Sequence, residues 1–497
     1  MTALPAFAVH DLFALPASPK PLRPHQERAI AMLRQSLGKG NKRVVVQMPT
    51  GAGKTRTAAE IITGALGKGN RVSFTVPAIS LIDQTVAAFE SEGISGIGVM
   101  QANHVRTDWR QPVQVISVQS LARREKPNSR IVIVDECHLQ FQAVRDWMKR
   151  DPAQIFIGLS ATPWARGMAD DWQDLVAPVT MQELIDAGYL SPFRAFAPSH
   201  PDLTGVRIVA GDYHEGKLGE VMGGLVADVV DTWLEKGEGR PTLVFAVNRA
   251  HAAQLVEQFA RKGVAMGYCD ANVDLIERQF LFDQVAKGAL SGIVNVGTLT
   301  TGVDADIRCI VMARPTKSEM LFVQCIGRGL RTAPGKVDCI ILDHADNHAR
   351  LGFVTDISHD KLLDGSAPKQ ATAKERGEAM PRACGACGTL KPPKVSACPS
   401  CGFKPERQST VEVEEGELVA IDPKKAKAGK AEKQAWYSQL LHIQRERKRS
   451  SGWVAHSYRD KFGVWPVGMS DTPATPTVEV INFVKAKDIR FAKRRAQ

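Results

Sequence analysis

The stretch VVVQMPTGAGKT, residues 44–55, decides how the rest of the chain is read. Val44, Val45 and Val46 are three successive β-branched residues, the composition of a buried strand. Thr50, Gly51, Ala52 and Gly53 form a loop that ends in Lys54 and Thr55. Thr57-Ala58-Ala59-Glu60-Ile61-Ile62 then reads as the start of a helix. Strand, glycine loop and helix is the context in which this pattern holds phosphate. Gly51 and Gly53 let backbone N–H groups close around phosphate oxygens, and the helix N-terminus adds partial positive charge. Lys54 can reach the β- and γ-phosphates of a nucleotide, and the Thr55 hydroxyl can hold Mg²⁺. Met48 stands where the strict pattern has glycine.

Working outward, LRPHQ at 22–26 precedes the loop, and the Gln26 amide can donate and accept together. Downstream, VSFTVP at 72–77 and VISVQSL at 115–121 read as strands running into loops. IVIV at 131–134 is a central buried strand that delivers Asp135, Glu136, Cys137 and His138. With a nucleotide at the loop, Asp135 would hold Mg²⁺, directly or through water, and Glu136 would orient and deprotonate the attacking water. IFIGL at 155–159 leads into Ser160-Ala161-Thr162-Pro163. A second α/β pattern follows, with strands at 242–246, 293–296 and 310–313. It carries GTLTTGVD at 297–304 and QCIGRGLR at 324–331. Arg328 and Arg331 are spaced i, i+3, share one helix face and could clamp a phosphate across a cleft.

With 497 residues, two to four domains are expected. Apolar residues make up 44% and charged residues 24%, an ordinary globular balance. No apolar run reaches the length of a membrane span, and the opening residues lack a signal-peptide pattern, so a reducing, cytoplasmic setting is the expectation. Residues 359–497 hold 26 Lys and Arg against 16 Asp and Glu, a net +10, while the whole chain stands at +11. That region is either a solvated extension or an appendage that binds a polyanion.

The ordered set LRPHQ, MPTGAGKT, DECH, SATP, TLTTGVDAD and QCIGRGLR resembles a superfamily 2 helicase core of the DEAD/DEAH-box-like kind, over residues ~20–350. Within it the chain looks most like the RadD-type bacterial DNA-repair helicases and related phage helicases, on AGYLSP at 187–192, ARPT at 313–316 and APGKVDCIILDHADN at 333–347. The resemblance implies an α/β fold with two tandem RecA-like domains, ATP and Mg²⁺ between them, and nucleic acid across both. It implies that Gln26 reads adenine and that Thr50 to Thr55 hold phosphate. By the same resemblance Gly302 and Asp304 face the ATP-side cleft, and Arg328 and Arg331 meet the γ-phosphate. His138, Ser160, Thr162 and Gln324 are then the residues that couple nucleotide state to strand movement. Cys137 stands where many relatives carry Ala, and Gln324 where RNA-type relatives often carry His.

Beyond residue 358 the composition turns polar, then Cys384-x2-Cys387 and Cys398-x2-Cys401 follow ten residues apart. Two such pairs can place four sulfurs for tetrahedral Zn²⁺; redox dithiols or disulfides are the alternative. The remaining cysteines, Cys137, Cys269, Cys309, Cys325 and Cys339, read as packing residues. Toward the end Trp436, Tyr437, Trp453, Tyr458, Phe462 and Trp465 interleave with Arg and Lys. Most of these aromatics suit a small helical core, and Trp436 and Trp453 could stack on bases. The expected organisation is a flexible arm at 1–20, RecA-like domains at 21–190 and 191–358, a linker at 359–381, a zinc ribbon at 382–405, a linker at 406–432 and a basic aromatic helical module at 433–497. The expected function is an ATP-dependent helicase or translocase on DNA, single-stranded or branched, in repair, recombination or phage replication. Its C-terminal region could recruit a protein partner, and no membrane partner is expected. An RNA helicase of the same superfamily, or a binding scaffold with a vestigial ATPase, is the alternative.

Overall fold

The computed structural model describes residues 21–101, 104–209, 211–299, 305–366, 372–405 and 429–495. The arm at 1–20, Gly302, Asp304 and residues 406–428 of the second linker lie outside them. Two compact units, 1–406 and 407–497, make up the chain.

The first unit holds two parallel sheets. Strands β1 (Arg43–Gln47), β2 (Val72–Val76), β3 (Ile97–Met100), β4 (Val113–Ser117), β5 (Ile131–Asp135), β6 (Ile155–Ser160) and β7 (Asp174–Val176) pair in the order β3-β4-β2-β5-β6-β1-β7. The valines of β1 and Val132, Ile133 and Val134 of β5 are buried on both faces, as a parallel sheet flanked by helices demands. The second sheet uses β8 (Phe193–Phe196), β11 (Thr242–Phe245), β12 (Met266–Cys269), β13 (Gly292–Asn295), β14 (Cys309–Met312) and β15 (Cys339–Asp343), ordered β12-β13-β11-β14-β15-β8. Between β8 and β11 a short hairpin of β9 (Ile208–Val209) and β10 (Asp212–Tyr213) projects, with Ile208 and Val209 exposed. Met48, Ala52, Leu190, Ile326 and Leu330 belong to one buried cluster, so packing runs continuously from the first sheet's glycine loop to the second sheet's helix Glu319–Gly329. Cys137, Cys269, Cys309, Cys325 and Cys339 are all buried, as packing residues should be.

The stretch expected as a linker at 359–381 behaves differently in its described residues. Leu362 packs against the cluster that holds Met168 and Trp172, and the Leu363 carbonyl accepts the Ala169 N–H at 3.0 Å. Glu375 pairs with Lys317 at 2.7 Å. The segment is polar because it lies on the surface, yet it is tied to both halves of the unit. The cysteine ribbon follows, with β16 (Arg382–Ala383) antiparallel to β17 (Leu390–Lys391). Thr389 bridges Phe196, so the ribbon covers the otherwise open edge at β8.

Among its described residues the second unit has three helices, Lys430–Glu446, Ser451–Phe462 and Val478–Arg495. Its core gathers Trp436, Leu440, Ile443, Val454, Tyr458, Val480 and Val484. Trp436 is 5% exposed, edge-on to Phe462 and Phe483, with Lys461 4.2 Å from its ring. It therefore presents no open face to a base, which corrects the stacking role considered for it; Trp465, 47% exposed, faces solvent instead. Trp436→Ala is expected to destabilise this unit by about 3–5 kcal/mol. Hydrogen exchange of the full-length chain should then show reduced amide protection in 430–462 with β1 and β5 unchanged; retained protection would show that the core does not depend on this ring.

Candidate functional site

At the carboxyl end of β1 the chain turns through Met48 to Gly53 and enters the helix Lys54–Leu66. Gly51 (φ +86°) and Gly53 (φ +87°) are both left-handed. A Cβ on Gly53 would lie 2.3 Å from Gln26 Nε2, and one on Gly51 2.7 Å from Leu190 Cδ2. Conformation and space together exclude a side chain at either position. Gln26, 2% exposed, stands behind this loop. Its Nε2 donates to the carbonyls of Ala52 and Gly53, both at 3.3 Å, and its Oε1 accepts the Arg23 N–H at 2.9 Å. His25 Nε2 lies 2.8 Å from the Ala52 carbonyl, which only accepts, so that nitrogen carries the proton.

A cleft of about 490 Å³ opens over the loop, lined by Thr50, Gly51, Gly53, Lys54, Thr55, Asp135 and Glu136. Arg328 and Arg331 line it from the second sheet's side. Lys54 Nζ donates to Glu136 Oε1 at 2.7 Å. Burial pushes the Asp135 carboxyl up to about 6 against the pull of Lys54, with Glu136 adding to the rise. Burial works the same way on Glu136, but Lys54, His138 and Arg328 outweigh it and hold that carboxyl below its ordinary value. For Lys54, burial disfavours the ammonium, and Glu136 and Asp135 more than restore it. Two acids on adjacent residues are thus pushed apart, one toward protonation and one toward charge. Glu136 also adopts a left-handed backbone, φ 47° and ψ 47°, which costs a non-glycine residue roughly 1–2 kcal/mol. The turn it makes carries the chain from β5 into Cys137–Leu139.

From Glu136 a chain of polar contacts runs out of the cleft. His138 Nδ1 lies 3.4 Å from Glu136 Oε2 and 2.9 Å from Ser160 Oγ. Burial lowers the His138 pKa, so the ring is neutral near pH 7 and one nitrogen must accept. Gln324 Nε2 donates to His138 Nε2 at 3.3 Å and to Thr162 Oγ1 at 3.0 Å. The proton therefore sits on Nδ1, facing Ser160 and Glu136. Gln324 belongs to the helix Glu319–Gly329 beside the second sheet, while His138, Ser160 and Thr162 belong to the first. The four residues assigned to coupling meet in one network between the sheets. Close packing seals the same boundary: a Cβ on Gly327 would lie 3.1 Å from Thr50 Cβ.

The helix Glu319–Gly329 is gripped at its N-terminal end as well. Glu319, 6% exposed, accepts from His359 Nε2 at 2.7 Å and from Arg376 at 3.4 Å. The His359 ring lies against Trp164, 4.7 Å between centroids, and Trp164 follows the Ser160–Thr162 turn. The polar segment after residue 358 thus touches both halves beside the coupling network.

Two residues of the cleft carry no signal in the sequence. Arg23 and Tyr189 both line it, with the Arg23 guanidinium 4.7 Å from the Tyr189 ring centroid. LRPHQ and AGYLSP each contain one of them, but 165 residues of sequence separate the pair. The four cysteines, by contrast, stand together as their spacing implied. Their Sγ atoms all lie within 4.8 Å of one another, with Cys384–Cys401 and Cys387–Cys398 at 3.7 Å. Gly388 (φ +74°) and Gly402 (φ +73°) make the turns that close each pair.

The geometry predicts different outcomes for the two sides of the Lys54–Glu136 pair. Lys54→Ala should abolish nucleotide binding. Glu136→Gln should keep it and slow hydrolysis by about 10²–10⁴-fold. Nucleotide affinity and single-turnover hydrolysis, measured separately, check this; normal turnover in Glu136→Gln would remove that carboxylate from the reaction.

A family model described as "Type III restriction enzyme, res subunit" matches residues 19–165, and one described as "Helicase conserved C-terminal domain" matches residues 225–333. Together they take in just over half of the chain, including the glycine loop, Glu136, Gln324 and both arginines. A "51.5 kDa protein" of a Lactococcus phage (isolate 7-9) is 26% identical over 400 residues, 77% of this chain and 83% of that one. The "Putative ATP-dependent helicase IRC3" of Saccharomyces cerevisiae is 27% identical over 353 residues, 65% of this chain; the match spans 51% of its own length. The ATP-dependent Type ISP restriction-modification enzyme LlaBIII, solved bound to DNA, matches 66% of this chain and 28% of its own at 18% identity with a TM-score of 0.51, a likeness of fold. With tandem RecA-like sheets, an assembled motif set and these matches, the chain belongs to the superfamily 2 helicases, ATP-dependent enzymes that act on nucleic acid.

Proposed function

We propose that this chain is a DNA-dependent ATPase that moves along or unwinds single-stranded or branched DNA, in repair, recombination or phage replication. The observation that carries it is the polar chain from Glu136 through His138 to Gln324, which links the hydrolytic carboxylate to the second sheet's helix. A change at the terminal phosphate is then felt at the boundary between the two sheets, where a strand-moving enzyme must open and close. The structurally similar enzyme solved bound to DNA favours DNA, and the segments AGYLSP and APGKVDCIILDHADN favour the RadD-type subfamily. ATPase activity measured with single-stranded DNA, duplex, forked DNA and RNA as separate stimulants tests this; stimulation by RNA alone would assign the chain to RNA.

In this reading the phosphates lie on Gly51 to Thr55, and Arg328 and Arg331 meet the γ-phosphate. Gly302 and Asp304 complete the ATP-side cleft. Arg23 and Tyr189 flank the base, with Gln26 fixing the loop behind it. Thr55 and Asp135 fit Mg²⁺: both line the cleft, and Asp135 is a buried carboxyl for which a cation would favour the charged form. Held by Thr55 and Asp135, Mg²⁺ would supply charge neutralisation at the phosphate oxygens.

Cys384, Cys387, Cys398 and Cys401 fit Zn²⁺. Zn–S bonds of about 2.3 Å at tetrahedral angles imply sulfurs about 3.8 Å apart. The Cys384–Cys401 and Cys387–Cys398 sulfurs are 3.7 Å apart, far beyond a disulfide bond. About one zinc per chain is expected by elemental analysis, with Cys398→Ser losing it. Zinc-free protein with disulfide-bonded cysteines would exclude the ribbon.

Residues 423–497 hold 17 Lys and Arg against 6 Asp and Glu. The described residues of 359–405 are tied to the ATPase unit, so the informative truncation falls after 405. It should leave ATP binding intact, weaken DNA binding and flatten its salt dependence. The slope should fall by about 0.9 for each duplex phosphate that the shortened protein no longer neutralises, or about 0.7 for each single-strand phosphate. Identical slopes for both proteins would assign the tail to a partner other than nucleic acid.

A further inference from the structure

Arg331 lies beyond the last residue of the helix Glu319–Gly329, where intrahelical hydrogen bonds no longer fix the backbone. Something else must hold it against the cleft. The structure supplies a half-buried ammonium. Lys336 Nζ donates to the carbonyls of Gly329 (2.6 Å), Arg331 (2.7 Å) and Ile307 (2.6 Å). All three of its N–H donors are used. Gly329 ends the helix, so the positive charge also sits at the negative end of the helix dipole. Ile307 follows the segment that carries Gly302 and Asp304.

Lys336 is itself held in place. Its N–H bonds the Ala333 carbonyl at 3.1 Å in a turn where Gly335 is left-handed, φ +68°. Arg308, paired with Asp306 at 2.7 Å, donates to the carbonyls of Pro334 and Gly335 that form this turn. On its other side the Arg331 carbonyl accepts from Ser191 Oγ at 3.2 Å. Arg331 is therefore clamped between the chain that joins the two sheets and a lysine five residues onward.

We infer that Lys336 is a positioning residue for ATP hydrolysis: its ammonium fixes the backbone of Arg331 and so the reach of that guanidinium into the cleft. The inference rests on Arg331 acting on the transferred phosphate. Lys336→Met keeps the aliphatic stem and removes the three donors. It should lower kcat by about 10- to 100-fold, the range expected when a reacting group is misplaced by about 1 Å. KM for ATP should stay within about threefold, the pattern of an interaction made in the transition state. Affinity for ADP with aluminium fluoride should fall in step with kcat, and affinity for ADP alone should not. Lys336→Arg should recover part of the activity.

A double-mutant comparison separates this from its premise. In an Arg331→Ala background, Lys336→Met should cost less than about twofold further, because its effect passes through Arg331. Unchanged kcat in Lys336→Met, a loss that adds fully to that of Arg331→Ala, or an equal loss of ADP affinity would each overturn the inference. If Arg331→Ala alone retains kcat, the premise fails and the inference falls with it, a result that the single variant reports by itself. Should Lys336→Met not fold, Lys336→Leu, which also removes all three donors, is carried through the same comparisons with the same deciding outcomes.

Discussion

An ammonium and a carboxylate largely withdrawn from water are each costly alone, and the half-buried Lys54 and Glu136 are stable in the cleft because each supplies the other's charge at 2.7 Å. The pair constrains what surrounds it. The loop must bring Lys54 over the end of β1, so Gly51 and Gly53 adopt left-handed backbone and leave no room for a Cβ. Glu136 must leave β5 at the height of that ammonium, and it does so through a left-handed turn of its own. The adjacent Asp135 then feels burial and a neighbouring negative charge, which leaves it the higher of the two acids and suited to a cation.

The second constraint is the polar path that leads out of this charged site. His138 is neutral because it is buried, and neutrality gives it one donor and one acceptor nitrogen. The donor faces Glu136 and Ser160, the acceptor faces Gln324, and so the ring bonds groups from both halves of the unit. A second tie, through Trp164, His359 and Glu319, crosses the same boundary nearby. The helix Glu319–Gly329 is thereby fixed at its N-terminal end by His359 and Arg376, along its length by Gln324 and Gly327, and at its C-terminal end by Lys336. It carries Gln324 and Arg328 on one element, with Arg331 just past its end.

The ribbon and the segment before it complete the surface of the same unit. Strand β8 would be an open edge of the second sheet, and Thr389 closes part of it. A segment read as linker becomes structural because its few apolar residues, Leu362 among them, find a place in the first sheet's packing.

Residue order alone determined the two α/β halves, the phosphate loop, the acidic strand end, the arginine pair and the four-cysteine set. Each is a local pattern whose chemistry depends on neighbours within a few positions, so spacing carries it. Tertiary structure decided the rest. Gln26 proved to brace the loop with its amide, because α-helical packing set it behind Ala52 and Gly53. Tyr189 met Arg23 across 165 residues, and Lys336 turned inward to three carbonyls although Val337 beside it is 82% exposed. Trp436, in a stretch rich in basic residues, went to the core because three short helices need a bulky ring to bury. Such contacts join residues distant in sequence or choose between two faces of one element, and no local pattern records which face the fold will use.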